Sequence, residues 1–283
     1  MLLSSELILS ATGEIYHLNL RPEQLAHTII AVGDQDRVAE VSKHFDRIEH
    51  RAQHREFVTH TGYIGNTRLT AISSGIGTDN IDIMLNELDA LVNIDFATRQ
   101  PKTNLVSLRI VRVGTSGALQ AHIPVDSMLV SKDAIGLDSL MAFYQLPQTS
   151  TEKAFCSQVQ QHLSLPFLPY QVSASPTLFA KFTDLPHGFT LTCPGFYAPQ
   201  GRQLRLPPNP ENILEKYRNF AHDGAQFTNF EMETSGYYAF GKLLQHEILS
   251  LNAIVANRAT GEFSTNATQT IENLIRIAIE RLI

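Results

Sequence analysis

The side chains best suited to chemistry are arginines and carboxylates placed beside glycines. Arg112 sits between Val111 and Val113 in VRVGTSGA, inside an apolar run that reaches Gly114. A guanidinium buried without a counter-charge costs several kcal/mol, so an anion must face it, either an internal carboxylate or a bound ligand. Thr115 adds a hydroxyl and a backbone amide for the same anion. Arg37 in VGDQDRV and Arg55 in HREF supply two further forks with the geometry that grips phosphate bidentately. Taken singly, each also reads as a solvated surface arginine. Gly33 ends HTIIAVG, and Gly75 and Gly77 punctuate AISSGIGTDN. Glycine lets a backbone N–H approach an anion closely, and a helix start nearby adds a favourable dipole. The spacing matches neither a Walker A loop nor a dinucleotide fingerprint, so each glycine also reads as a tight turn and nothing more.

Two more stretches carry polar groups in unusual places. Glu231 and Glu233 flank Met232 in NFEMETSG, where a strand gives way to a helix. On a continuing strand both carboxylates share one face. Ionised carboxylates only accept hydrogen bonds, which suits adjacent hydroxyls such as those of a ribose; the alternative is a pair of acids stabilised by the helix dipole. In CPGFYAPQGRQLRL, prolines at 194 and 199 exclude both a helix and a central strand. That loop nevertheless concentrates Phe196, Tyr197, Gln200 and Arg202.

The elements that must position these groups alternate. HTIIAVG reads as a buried strand and Asp34–Phe45 as a helix. Arg55–Ser73 reads as a hairpin about Gly65-Asn66, and Asp79–Asn93 as a helix with apolar residues at helical spacing. LVSLRIVRVG, SMLVSKDAI, PYQVSAS and EILSLNAIVAN read as strands. TEKAFCSQVQQHL, ETSGYYAFGKLLQ and NATQTIENLIRIAIERLI read as helices. Ala97–Asn104 and Arg202–Ile213 read as loops. The pattern predicts an α/β fold, a mixed central sheet with helices on both faces, in one domain over 1–283.

Composition narrows the partners. The chain has 283 residues, 43% of them hydrophobic, and a formal net charge of -6. Nothing in that balance attracts nucleic acid or anionic lipid, so a bound anion needs a local arginine cluster. Cys156 and Cys193 lack metal spacing and suit reduced thiols in a cytoplasm. Glu6 and the absence of a basic leader disfavour a signal peptide, and no apolar run reaches the roughly 20 residues of a membrane span.

Read in order, YHLNL, VGDQDRV, HREF, SSGIGTDN, VRVGTSGALQ, FYAPQGR, FEMET and IVANR resemble the nucleoside phosphorylase superfamily and, within it, the uridine phosphorylases. The resemblance spans about Ile15 to the C-terminus. It implies a distorted, partly barrel-like sheet and reversible phosphorolysis of a nucleoside by a pentosyltransferase. Inorganic phosphate would be the co-substrate, with no organic cofactor. Gly33, Arg37, Arg112, Gly114 and Thr115 would bind phosphate, joined by Arg55 from a neighbouring subunit. Glu231, Met232 and Glu233 would line the ribose, and His17 would reach its 5'-hydroxyl across the interface. Phe196, Gln200, Arg202 and Arg258 would read the base. Purine-specific relatives tend to carry an Asp where Asn257-Arg258 stand here. The partners implied are a small-molecule nucleoside, phosphate and further copies of the chain, as a dimer or a trimer of dimers with shared sites. A broad-specificity or purine enzyme, and a nucleoside-binding protein without turnover, are the alternatives.

The chain departs from the family in three places. Asp95–Asn104 is longer than in compact bacterial enzymes. APQGR replaces the commoner PGQxR. Glu56, Ile76 and Asn80 stand where relatives can hold a monovalent cation through Glu, a carbonyl and Ser, and the bulk of asparagine weighs against that site.

Overall fold

Apolar, β-branched runs bounded by glycine or polar turns form the interior strands, and amphipathic stretches between them form helices that cover the sheet. The computed structural model describes residues 1–283. Its strands are β1 (Thr28–Val32), β2 (Arg47–His54), β3 (Phe57–Ile64), β4 (Thr67–Ser73), β5 (Ile94–Asp95), β6 (Gln100–Pro101), β7 (Arg109–Ala118), β8 (Met128–Gly136), β9 (Tyr170–Ser173), β10 (His187–Thr192), β11 (Phe227–Glu231), β12 (Glu247–Asn257) and β13 (Glu262–Phe263). The helices are α1 (Asp36–Ser42), α2 (Thr78–Asn93), α3 (Ser150–Leu163), α4 (Pro176–Phe179), α5 (Ile213–Asn219), α6 (Thr234–Leu244) and α7 (Ala267–Leu282).

Eleven strands make one mixed sheet. β7 pairs β12 in parallel, β12 pairs β8 antiparallel, β8 and β10 are parallel, as are β10 and β11, and β11 returns antiparallel to β7. This ring of pairings closes part of the sheet into a barrel and removes its edges. From β7 an open arm continues through β1, β4, β3 and β2. α2 and α6 pack together, α6 also lies on β8 and β12, and α7 lies on β7 and β12.

Several elements differ from the sequence reading. β7 does not stop at Gly114 but runs on to Ala118, because β12 and β11 supply hydrogen-bond partners past the glycine. β2 escapes notice in the sequence because its inward positions include His50 and His54, so hydrophobic alternation is weak. β10 and α5 are too short to carry a clear period. The expected loop 97–104 contains β6, which pairs with β5. Arg99 in their turn donates from Nε to the Leu2 carbonyl at 2.9 Å and from Nη2 to the Leu3 carbonyl at 2.9 Å, and it also reaches that of Leu7. The longer segment thus clasps the N-terminal residues.

Candidate active site

The pairing of β1, β4 and β7 brings three separated sequence motifs together. β1 and β7 run parallel with Val32 opposite Val113, which sets Gly33 beside Gly114. β4 pairs the other side of β1, Ser73 opposite Val32, and carries Gly75 to the same end. Glycine is required at 75 and 77, where φ is +73° and +98°. At 114 the reason is space: a Cβ there would collide with the Arg112 guanidinium, which folds back along its own strand. Gly33 is under no such demand, since a Cβ would meet only the Gly75 carbonyl oxygen at 3.6 Å.

Arg112 is 3% exposed and bound to acids inside the chain. Its Nη2 donates to Glu233 at 2.5 Å and lies 3.0 Å from Glu231, while Nη1 donates to Ser250 at 3.2 Å. Both readings of Arg112 therefore bear on it: the internal carboxylates exist, and Nε remains buried without an acceptor. Burial works against the Arg112 charge, but Glu231 and Glu233 outweigh it and hold its pKa above the ordinary value.

The two carboxylates have different employment. Glu231 Oε2 accepts the N–H groups of Glu233 and Thr234, each at 2.9 Å, at the start of α6, and Oε1 accepts from the Thr192 hydroxyl at 2.7 Å. With Arg112 added, Oε2 is fully engaged by the fold, as the helix-dipole reading expects, and one lone pair remains on Oε1. The strand ends at Glu231, so Glu233 is the residue before α6 and not its strand neighbour on one face. Glu233 Oε1 accepts the Gly77 N–H at 2.8 Å, leaving lone pairs on both oxygens. Burial raises the Glu233 carboxyl above its usual range, Arg112 opposing and Glu231 adding to the shift.

Arg37, at the start of α1, has no carboxylate in ion-pair contact. Burial lowers its pKa, with Asp34 opposing and the Arg112 charge adding to the fall. Two guanidiniums thus share one neighbourhood, one of them unpaired. Thr115 beside them is half-buried, and Met232 is half-buried next to Glu233.

Four residues along β7 from Gly114, about 13 Å at strand rise, lies the second half of the site. Arg258, just past β12, donates its N–H to the Ala118 carbonyl at 2.9 Å. Its side chain donates to the carbonyls of Gln200 at 3.2 Å and Gly201 at 3.5 Å. Arg258 therefore braces the Gln200 turn. Arg202 lies 3.7 Å over the Phe196 ring, donates to the Phe196 carbonyl at 2.8 Å and contacts the Gln200 side-chain oxygen. Arg202 and Arg258 both stand 5.7 Å from the Phe230 ring. Burial pushes Arg202 down to about 10, with Arg258 adding to the fall, so it stays cationic at neutral pH. Burial lowers Arg258 as well. Gln200 is buried and Phe196 is half exposed.

A model of the phosphorylase superfamily matches residues 27–283. The chain belongs to that superfamily. It is 27% identical over 254 residues to the uridine phosphorylase of Thermococcus kodakarensis, covering 89% of this chain and 80% of that protein. A Trypanosoma brucei nucleoside phosphorylase, whose crystal structure is described as showing uridine phosphorylase activity, superposes with a TM-score of 0.88 at 26% identity. That match covers 98% of this chain and 99% of the other. A purine nucleoside phosphorylase of Thermoanaerobacter is less similar, 21% identical over 275 residues, or 93% of this chain and 97% of that protein.

In this phosphorylase two expected site residues make contacts of their own within the chain. Arg55 is exposed at the β2–β3 turn, where its carbonyl accepts from Gln35 at 2.8 Å. His17 is bound to Glu87 of α2, ten residues beyond Gly77, about 15 Å at helical rise. At the positions considered for a cation, Asn80 Nδ2 donates to the Ile76 carbonyl at 3.0 Å and Glu56 packs against Gly75. No helix is long and apolar enough to cross a membrane. Sequence reading missed Ser250, Thr192 and Phe230, which support Arg112, Glu231 and the two base-side arginines. The available signal was a hydroxyl residue inside otherwise apolar strands, LSLNA and TLTCP.

Proposed function

We propose that the chain is a uridine phosphorylase, converting a pyrimidine nucleoside and inorganic phosphate reversibly to free base and ribose or deoxyribose 1-phosphate. One observation carries this reading: arginines gather at two places along β7, Arg37 near Arg112 and Arg202 near Arg258, and Arg37, Arg202 and Arg258 have no carboxylate in ion-pair contact. The first place suits the entering phosphate and the second the departing base.

A phosphate oxygen gives its lone pair to the anomeric carbon as the bond from that carbon to uracil N1 breaks. The bonding pair leaves with the base, through an oxocarbenium-like transition state. Arg37, Arg112, Thr115 and the Gly33 and Gly114 backbone orient the phosphate, and its negative charge stabilises the sugar cation. Glu233 accepts from a ribose hydroxyl with Met232 alongside, while Glu231 holds Arg112 and α6 in place. Phe196 packs on the base. Gln200 and Arg202 donate to its carbonyl edge and stabilise the charge developing there, with Arg258 behind them. His17 and Arg55 are supplied by a second copy, so a dimer is the smallest working unit. Each copy acts as one domain over 1–283, in the cytoplasm, without an organic cofactor.

Uridine, thymidine and inosine incubated with and without phosphate distinguish the readings. Uracil release that requires phosphate is expected. Faster cleavage of inosine would place the enzyme with the purine phosphorylases, and cleavage without phosphate would make it a hydrolase. No release from any of the three would leave a binding protein.

A further inference from the structure

The N-terminal segment presents His17 in a way that neither its type nor its position in the chain reveals. Ile15 pairs in antiparallel bridges with Leu9 and Leu20. The Ile15 N–H donates to the Leu20 carbonyl at 2.8 Å and the Asn19 N–H to the Ile15 carbonyl at 2.9 Å. Buried Ile15, Leu18 and Leu20 fix this small loop to the core, and His17 is at its tip. The successive N–H groups of His17 and Leu18 point to one carboxylate. Glu87 accepts from the His17 N–H at 3.1 Å, from the Leu18 N–H at 2.9 Å and from His17 Nδ1 at 2.6 Å. Two other side chains touch the loop tip: His54 of β2, whose Nδ1 lies 3.3 Å from the His17 carbonyl, and Tyr16, edge-on to both imidazoles.

An ionised carboxylate has no proton to give, so the short contact requires the proton on Nδ1. In the neutral ring the lone pair then sits on Nε2, the nitrogen facing away from Glu87. Glu87 therefore does two things with one group: it locks the loop through two backbone amides and selects the tautomer. Its side chain is 14% exposed and that of His17 27%, so the pair is shielded while the imidazole keeps some open surface.

Resting on the uridine phosphorylase reading, we propose that Glu87 is a positioning residue for the neighbouring copy's active site. It holds His17 with Nε2 outward to take the 5'-hydroxyl of the nucleoside as a hydrogen-bond donor. The role belongs to α2 as a whole. Gly77, the residue before its first turn, gives its N–H to Glu233 of its own site, and Glu87, ten residues on, sets a contact of the other site.

The test compares kcat/KM for uridine and 5'-deoxyuridine, which lacks the hydroxyl, in the wild type, Glu87→Gln and His17→Ala. A ratio taken on one sample cancels any loss of folded enzyme. The wild type is expected to prefer uridine by about tenfold, the worth of one good hydrogen bond. His17→Ala should abolish most of that preference. Glu87→Gln should do nearly the same, because its amide must turn an NH2 toward one of three N–H donors, and 5'-deoxyuridine should be far less affected. A Glu87→Gln enzyme that keeps the full preference, or that loses both substrates equally, would overturn the positioning role and leave the functional reading intact. Full preference in His17→Ala would remove the His17 contact and the proposal with it. Absence of phosphate-dependent uridine cleavage by the wild type would overturn the functional reading itself.

Discussion

Arg37 and Arg112 show how two residues of one type and one expected role differ in physical situation. Arg112 neutralises two buried acids and is part of the fold. Removing it leaves Glu231 and Glu233 uncompensated, so Arg112→Ala is expected to cost about 3–5 kcal/mol of stability as well as orders of magnitude in turnover. Arg37 holds no acid in ion-pair contact. Arg37→Ala is expected to raise the KM for phosphate by about 10–100-fold, the worth of a charge-assisted hydrogen bond. Its melting temperature should stay within about 2 °C of wild type, since no ion pair or hydrogen bond of its side chain is lost. Thermal melts beside steady-state kinetics at varied phosphate decide the matter. Equal destabilisation of both variants would show that Arg37 has a structural partner after all.

At the scale of elements, the start of α6 is the joint on which the ribose end depends. Glu231 caps its first N–H groups from β11, Thr192 of β10 donates to Glu231 and accepts the Ser235 N–H at 2.9 Å, and Asp138 lies behind. Asp138 accepts from the Tyr170 hydroxyl at 2.8 Å, the Ser235 hydroxyl at 3.3 Å and the Leu140 N–H at 2.9 Å. Burial raises its pKa above the ordinary value near 3.8, the three hydrogen bonds opposing. The folded protein then binds this proton more tightly than the unfolded chain does. That stabilising contribution is complete below the ordinary value and is lost as pH rises through the folded value. Wild type is therefore expected to lose stability relative to Asp138→Asn as pH rises above the ordinary carboxyl value, read from urea midpoints. The amide still accepts from Leu140, and the two hydroxyls can turn to accept from its nitrogen. A stability difference independent of pH would exclude Asp138 as the source.

For the whole molecule, the question is where the missing parts of each site come from. Arg55 is exposed and His17 half-buried, and neither is in ion-pair or hydrogen-bond contact with Arg37 or Arg112 through its side chain. If a second copy supplies them, two crippled chains can repair one another. Arg55→Ala and Arg37→Ala enzymes, each impaired alone, are expected to regain activity when co-expressed with separable tags and isolated as the hybrid. One site of the hybrid would then carry both arginines and the other neither. A hybrid no more active than its parents would return Arg55 to the solvated surface.

The order of most strands and helices and the α/β class were legible in the sequence. Each is written in local periodicity or in short motifs around glycine. Which charges meet was not. Arg37 and Arg112 come together only because β1 and β7 pair in parallel with Val32 against Val113, a non-local register that no stretch of either strand specifies. The same holds for Glu231, whose sequence neighbours do not reveal Thr192 and Arg112, the distant partners that reach its oxygens. It holds for the closed ring too, since β7 passes Gly114 only because β11 and β12 flank it. Periodicity is a property of one segment, whereas a barrel, a satisfied carboxylate and a paired guanidinium are properties of segments far apart in the chain.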